Sequence, residues 1–181
     1  MADKHTDDDN ADRISQLLTM AWNTKSKARA LAIVKQILEI DPDNVDALVI
    51  RSDSTQNAKE RIKDLVHALQ ALKFAYRDYD PDEKELLLYI VNYKLALSYF
   101  VEGRIDEALI CCEAALESEG KDADAETEAS QGRLKSLYYR MLIEREEWQK
   151  ILTETMKDEE HSWAWGYSRL IAAWMLSKDN T

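Results

Sequence analysis

The chain has 181 residues, 45% hydrophobic and 33% charged, a formal net charge of −11, two prolines and four glycines. That length can bury one sizeable core or one stack of repeats, and so few helix breakers favour long helices over a turn-rich β architecture. The negative field repels phosphate backbones and anionic lipid, which argues against nucleic acid and membranes as partners and for a basic protein or peptide.

Residues 1–11 carry aspartates and almost nothing apolar, the composition of a disordered, solvated tail; one helical domain is expected over 12–178. Ile14, Leu17, Leu18 and Ala21 then recur at helical spacing. After "NTKSK", a second stripe of Ala30, Val34, Ile37 and Leu38 runs to "EIDPDN", where Pro42 suits the first turn of the following helix. "VDALVI" begins a short third helix closed by "RSDSTQN". Residues 58–78 form a long amphipathic one, with Ile62, Leu65, Leu69 and Leu72 on one side. At "DYDPDE", Asp80 can cap, Pro81 takes the first helical position and Glu83 completes an Asp-x-x-Glu capping box. Helices are expected at 82–102, 105–118, 126–145, 147–157 and 160–176, with "ESEGKDADAE" as the most obvious exposed loop. No segment alternates with period two, so no strand is expected.

Helix pairs every 30 to 40 residues point to an internal repeat. Around Gly103, Leu95, Ala96 and Tyr99 precede the glycine, and Ala108, Cys112 and Ala115 follow it. This pattern resembles the tetratricopeptide repeat (TPR). Small residues at 108 and 115 let the second helix approach the first closely, while Leu95 and Tyr99 fill the wedge between them. "ALAIVKQILEIDPDN" is similar to the second helix of another such repeat. The pattern is degenerate elsewhere. Gly120 stands where the family has proline, and the pair at 45–72 has a shortened first helix. In the pair at 130–157, Trp148 matches Ile105, Ile151 replaces the packing alanine and Glu146 the turn glycine. A narrower likeness, over about residues 14–176, is to the TPR subgroup of suppressor-of-tumorigenicity-type proteins and their bacterial relatives. It rests on Ser130-Gln131-Gly132 opening one helix and Trp165 and Tyr167 opening the last. The resemblance implies an all-α superhelix of about four TPR-like pairs plus a C-terminal helix, and no enzymatic activity.

The residues themselves offer little chemistry. His5, His67 and His161 are scattered, so no metal site is expected, and no phosphate-binding loop or nucleophile motif implies a cofactor. Cys111 and Cys112 are adjacent on a helical pattern, where side chains point about 100° apart and cannot bridge; at least one is expected to be buried packing. Unbridged cysteines and the lack of a secretory pattern or an apolar run of about 20 residues suggest the cytoplasm.

The expected function is that of a protein-interaction scaffold or adaptor. By repeat geometry, Tyr93, Leu97 and Phe100 on one inner helix and Arg133, Ser136 and Arg140 on the next would line a concave groove. The aromatics would supply apolar contact and the arginines would pair with a carboxylate. The alternative is a self-associating helical protein with no peptide client, a homodimer joined through a C-terminal aromatic face of Trp163, Trp165, Tyr167 and Trp174.

Overall fold

A computed structural model describes residues 4–74, 79–118, 125–157 and 163–179, with side chains from residue 9 onward except at 125–130, 156–157, 163–167 and 179. The described residues form nine helices and no strand: α1 (Lys4–Asn23), α2 (Lys27–Ile40), α3 (Val45–Ser54), α4 (Ala58–Phe74), α5 (Pro81–Val101), α6 (Ile105–Glu117), α7 (Ala125–Glu144), α8 (Trp148–Lys157) and α9 (Trp163–Asp179). The fold is all-α. Each helix packs on the one before it, and α1 also meets α3 while α7 meets α9.

Local chemistry sets the ends. Ser26 caps α2 by accepting from the Arg29 amide, and Asn44 caps α3 by accepting from the Ala47 amide at 3.0 Å. Pro42 belongs to the turn before that cap rather than to the first turn of α3, because Asp41 folds the loop onto itself by accepting from the Asp43 amide and the Asn44 side chain. Pro81 opens α5 as expected. Asp80 accepts from the Asp82 amide at 3.0 Å, one residue short of the partner a capping box uses. The helical backbone of α1 begins at Lys4, inside the stretch whose composition suggested a tail. An acidic start complements the positive end of a helix dipole, so a polar sequence can extend a helix whose apolar stripe begins only at Ile14.

The core is a chain of three clusters. Ala30, Val34, Ile37, Ala47 and Ile50 join α1–α3. Leu48, Leu65, Leu72, Val91 and Leu95 join α3–α5. Ala96, Ala108, Cys112, Leu134, Leu142 and Ile151 join α5–α8, and Ala172 brings in α9. Helices α3 and α5 each serve two clusters, so each buries more than one face. Ion pairs lace the pairs together. Arg51 holds Asp64 through two bonds of 2.8 and 2.7 Å between α3 and α4. Lys94 reaches Asp53 at 2.7 Å between α5 and α3, and Lys150 reaches Glu113 at 2.7 Å between α8 and α6. Arg145, in the turn after α7, pairs with Asp106 of α6.

The helix pattern around Gly103 folds as its spacing predicts. Gly103 has φ +73°, its amide donates to the Phe100 carbonyl at 3.0 Å, and the Arg104 amide donates to that of Tyr99 at 2.9 Å. That bonding defines a left-handed Schellman end, the role glycine fills without steric cost. Ala96, Ala108, Cys112 and Ala115 are fully buried beneath it.

Candidate functional site

The register of the site comes from two turns of the same kind. At the end of α7, Glu146 has φ 56°, its amide donates to the Ile143 carbonyl at 3.1 Å and the Glu147 amide to that of Leu142 at 3.0 Å. The bonding repeats that of Gly103, with glutamate in the left-handed position. Superposing position 103 on 146, a shift of 43, pairs Tyr93 with Ser136 and Leu97 with Arg140. Two helices of the same kind thus present the same face with different chemistry.

On α5 that face is apolar. Leu97 is exposed, Tyr93 and Phe100 are half-buried, and Tyr93 stacks on Tyr89 with ring centroids 6.2 Å apart. On α7 it is polar and cationic, and Arg133, Ser136 and Arg140 are all exposed. Their spacing of three and four residues puts them on one side of the helix. The two faces meet where the Arg140 guanidinium lies over the Phe100 ring, 4.9 Å from its centroid, with Glu144 at 3.6 Å on the same helix. Of the six expected groove residues, this contact directly joins two. Arg133 stands about two turns away along α7 and makes no ion pair among the described residues. Ser136 donates its hydroxyl proton to the Gly132 carbonyl at 2.9 Å, which leaves its oxygen free only to accept. The arrangement offers an apolar strip on α5 that ends at one exposed guanidinium, with a second on the same side of α7, which suits binding of an extended segment carrying apolar and anionic groups.

Burial pushes the Cys112 thiol up to about 12 and the Cys111 thiol up to about 11, so neither ionises at neutral pH. Cys112 is buried and points its sulfur at the Leu134 carbonyl, 3.6 Å away, so it serves packing between α6 and α7. His67 bonds Asp43 at 2.7 Å and ties α4 to the "DPDN" turn. Among the described residues, no group of histidine, cysteine and acidic side chains could hold a metal ion, and no helix is long and apolar enough to cross a membrane. Tyr138, Glu113 and Lys150 form a structural knot. Lys150 bonds Glu113 and lies 5.6 Å from the Tyr138 ring; burial raises the Tyr138 phenol pKa, and the ammonium partly opposes that.

At the C-terminal face, Trp174 is 57% exposed with the Lys178 ammonium 3.7 Å from its ring centroid. The Trp163, Trp165 and Tyr167 side chains lie outside the described residues. Periodicity alone missed a groove along α1, floored by Ile14, Leu18 and Ile40 with Trp22 at one end. The available signal was Trp22 itself, a large aromatic one position beyond the buried stripe that ends at Ala21.

Comparison with family models, curated proteins and solved structures returns no match.

Proposed function

We propose that this chain is a non-enzymatic, cytoplasmic interaction module of TPR type, a superhelix whose α5 and α7 faces hold a peptide or a segment of a partner protein. The observation that carries the reading is the junction of the two faces at Arg140 and Phe100, which sets an exposed guanidinium at one end of the Tyr93–Leu97–Phe100 face. Tyrosine, phenylalanine and arginine are residue types that anchor partners by apolar contact combined with directional hydrogen bonds. On a chain of charge −11, two exposed arginines on one helix face form a local positive site. An anionic group on the ligand, a side-chain or terminal carboxylate, supplies the matching charge. Two unbridged cysteines with raised pKa values agree with a reducing compartment and with the lack of a nucleophile.

The test is affinity capture with the wild-type chain and with Arg133→Glu/Arg140→Glu, followed by titration of the purified captured protein. Both side chains are exposed, so the variant should keep its helical circular dichroism and lose binding by about tenfold or more. Equal affinity of the two chains for the same partner would remove the groove from consideration.

A further inference from the structure

Two surfaces outside the α5–α7 site are complementary to each other. The first is the groove on α1, with a volume of 1020 Å³, open along one side. Ile14, Leu18, Trp22 and Ile40 give it an apolar floor, and Asn10, Ser15 and Asp41 a polar rim. It follows α1 from Ala11 to Trp22, a rise of about 17 Å, which is the shape for a helix face rather than a small molecule. Asp12, exposed, flanks it beside Ser15 and Thr19. The second surface is α9. Leu170 is 70% and Trp174 57% exposed, four residues apart on one face, with Ala173 exposed between them. Lys178 ends that face, about 12 Å along the helix from Leu170, Arg169 stands beside Leu170 off the face, and no acidic residue occurs from 163 to 178. On a chain with 35 acidic and 24 basic residues, such a stretch is a local reversal of sign.

We infer that the α1 groove takes the α9 face of a second copy of this chain, so that copies associate head to tail. Length, apolar content and charge agree: a helix face of about 12 Å, anchored by Leu170 and Trp174 and ending in Lys178, enters a groove of about 17 Å with Asp41 on its rim and Asp12 on its flank. The two contacting surfaces differ, so the contact is heterologous, and one copy filling another's groove leaves one groove and one α9 face open at the ends. This contact leaves the α5–α7 site unused and adds a second function beside it.

The arrangement is tested by light-scattering mass across a concentration series of the full chain. One variant blocks α9 (Leu170→Glu/Trp174→Glu) and another blocks the groove (Thr19→Glu/Trp22→Glu). All four side chains are exposed, and circular dichroism confirms that each variant folds. The wild-type mass should rise above 20.9 kDa with concentration, and each variant should weaken association at least tenfold. An equimolar mixture of the two variants should recover a dimer that stops there, because one intact groove meets one intact α9. A wild-type chain that stays monomeric overturns the inference. So does a mixture that stays monomeric, or a groove variant that still dimerises as wild type does, the outcome expected of an α9-to-α9 contact.

Discussion

The α5–α6 and α7–α8 units end their first helices with the same hydrogen bonds and then pack their second helices differently. In the first, Gly103 makes the turn, and Ala96 and Ala108 meet beneath it, so α5 and α6 stay close along much of their length. In the second, Glu146 makes the turn, Tyr139 and Ile151 take the alanine positions, and α7 and α8 run close over a shorter stretch. All four of those side chains are buried. Bulk at the contact, rather than the geometry of the turn, sets how near the helices come. The wider unit gains its cross-links elsewhere, through Lys150 to Glu113 and Arg145 to Asp106.

The comparison can be broken at its packing residues first. Ile151→Ala should cost about 2–5 kcal/mol, because the alanine that suits α6 leaves a cavity in a pair held apart by Tyr139; urea unfolding midpoints measure it. Next comes Ala108→Leu, which should cost about 1–3 kcal/mol by forcing α6 away from α5, read from the same titrations. An unchanged midpoint would mean that Ala108 does not face its partner helix.

The turns sharpen the comparison, because equivalent positions should respond with opposite sign. A Cβ added at Gly103 meets nothing within 4 Å, so Gly103→Ala tests the backbone alone and should destabilise by about 1 kcal/mol through its positive φ. Glu146→Gly relieves the same strain and should stabilise by a few tenths to about 1 kcal/mol, partly offset by the greater freedom of an unfolded glycine. Thermal melts of both variants beside wild type decide the signs.

The smallest effect concerns pH. Cys112, at the place where the second unit has Thr155, has its pKa raised from 9.0 to about 12 by burial. The folded state keeps the proton that the unfolded state releases. This contribution is therefore complete below pH 9 and is lost as pH rises toward 12. Urea titrations at pH 7.5 and 10 should show a smaller loss of stability for Cys112→Ala than for wild type.

Much of the fold was legible because helices announce themselves. Ala30, Val34 and Ile37 bury along the stripe that spacing marked on α2, and Gly103 and Pro81 stand at the boundaries that their backbone preferences dictate. What periodicity could not give was the start of α1, whose first turns bury nothing at the described positions. Nor could it give the turn at Glu146, since glutamate seldom adopts positive φ without a surrounding fold to hold it. For the candidate site, spacing placed Arg133, Ser136 and Arg140 on one face. The contact of Arg140 with Phe100 depends on how α5 and α7 lie against each other, which no single-helix pattern encodes. Trp22 escaped for the same reason, since its groove is completed by Ile40 at the end of α2 and Asp41 just after it.

Because the core is three linked clusters rather than one, injury to the protein stays near where it is made. A cavity beneath Ile151 removes contacts from α5–α8 and leaves the packing of Val34 and Ile37 against Ala47 untouched. Helices α3 and α5 are the exceptions, since each is shared by two clusters, and Lys94 to Asp53 fastens them to each other. The middle of the molecule is therefore the splint of the fold, the one part whose loss would strip packing from both ends at once.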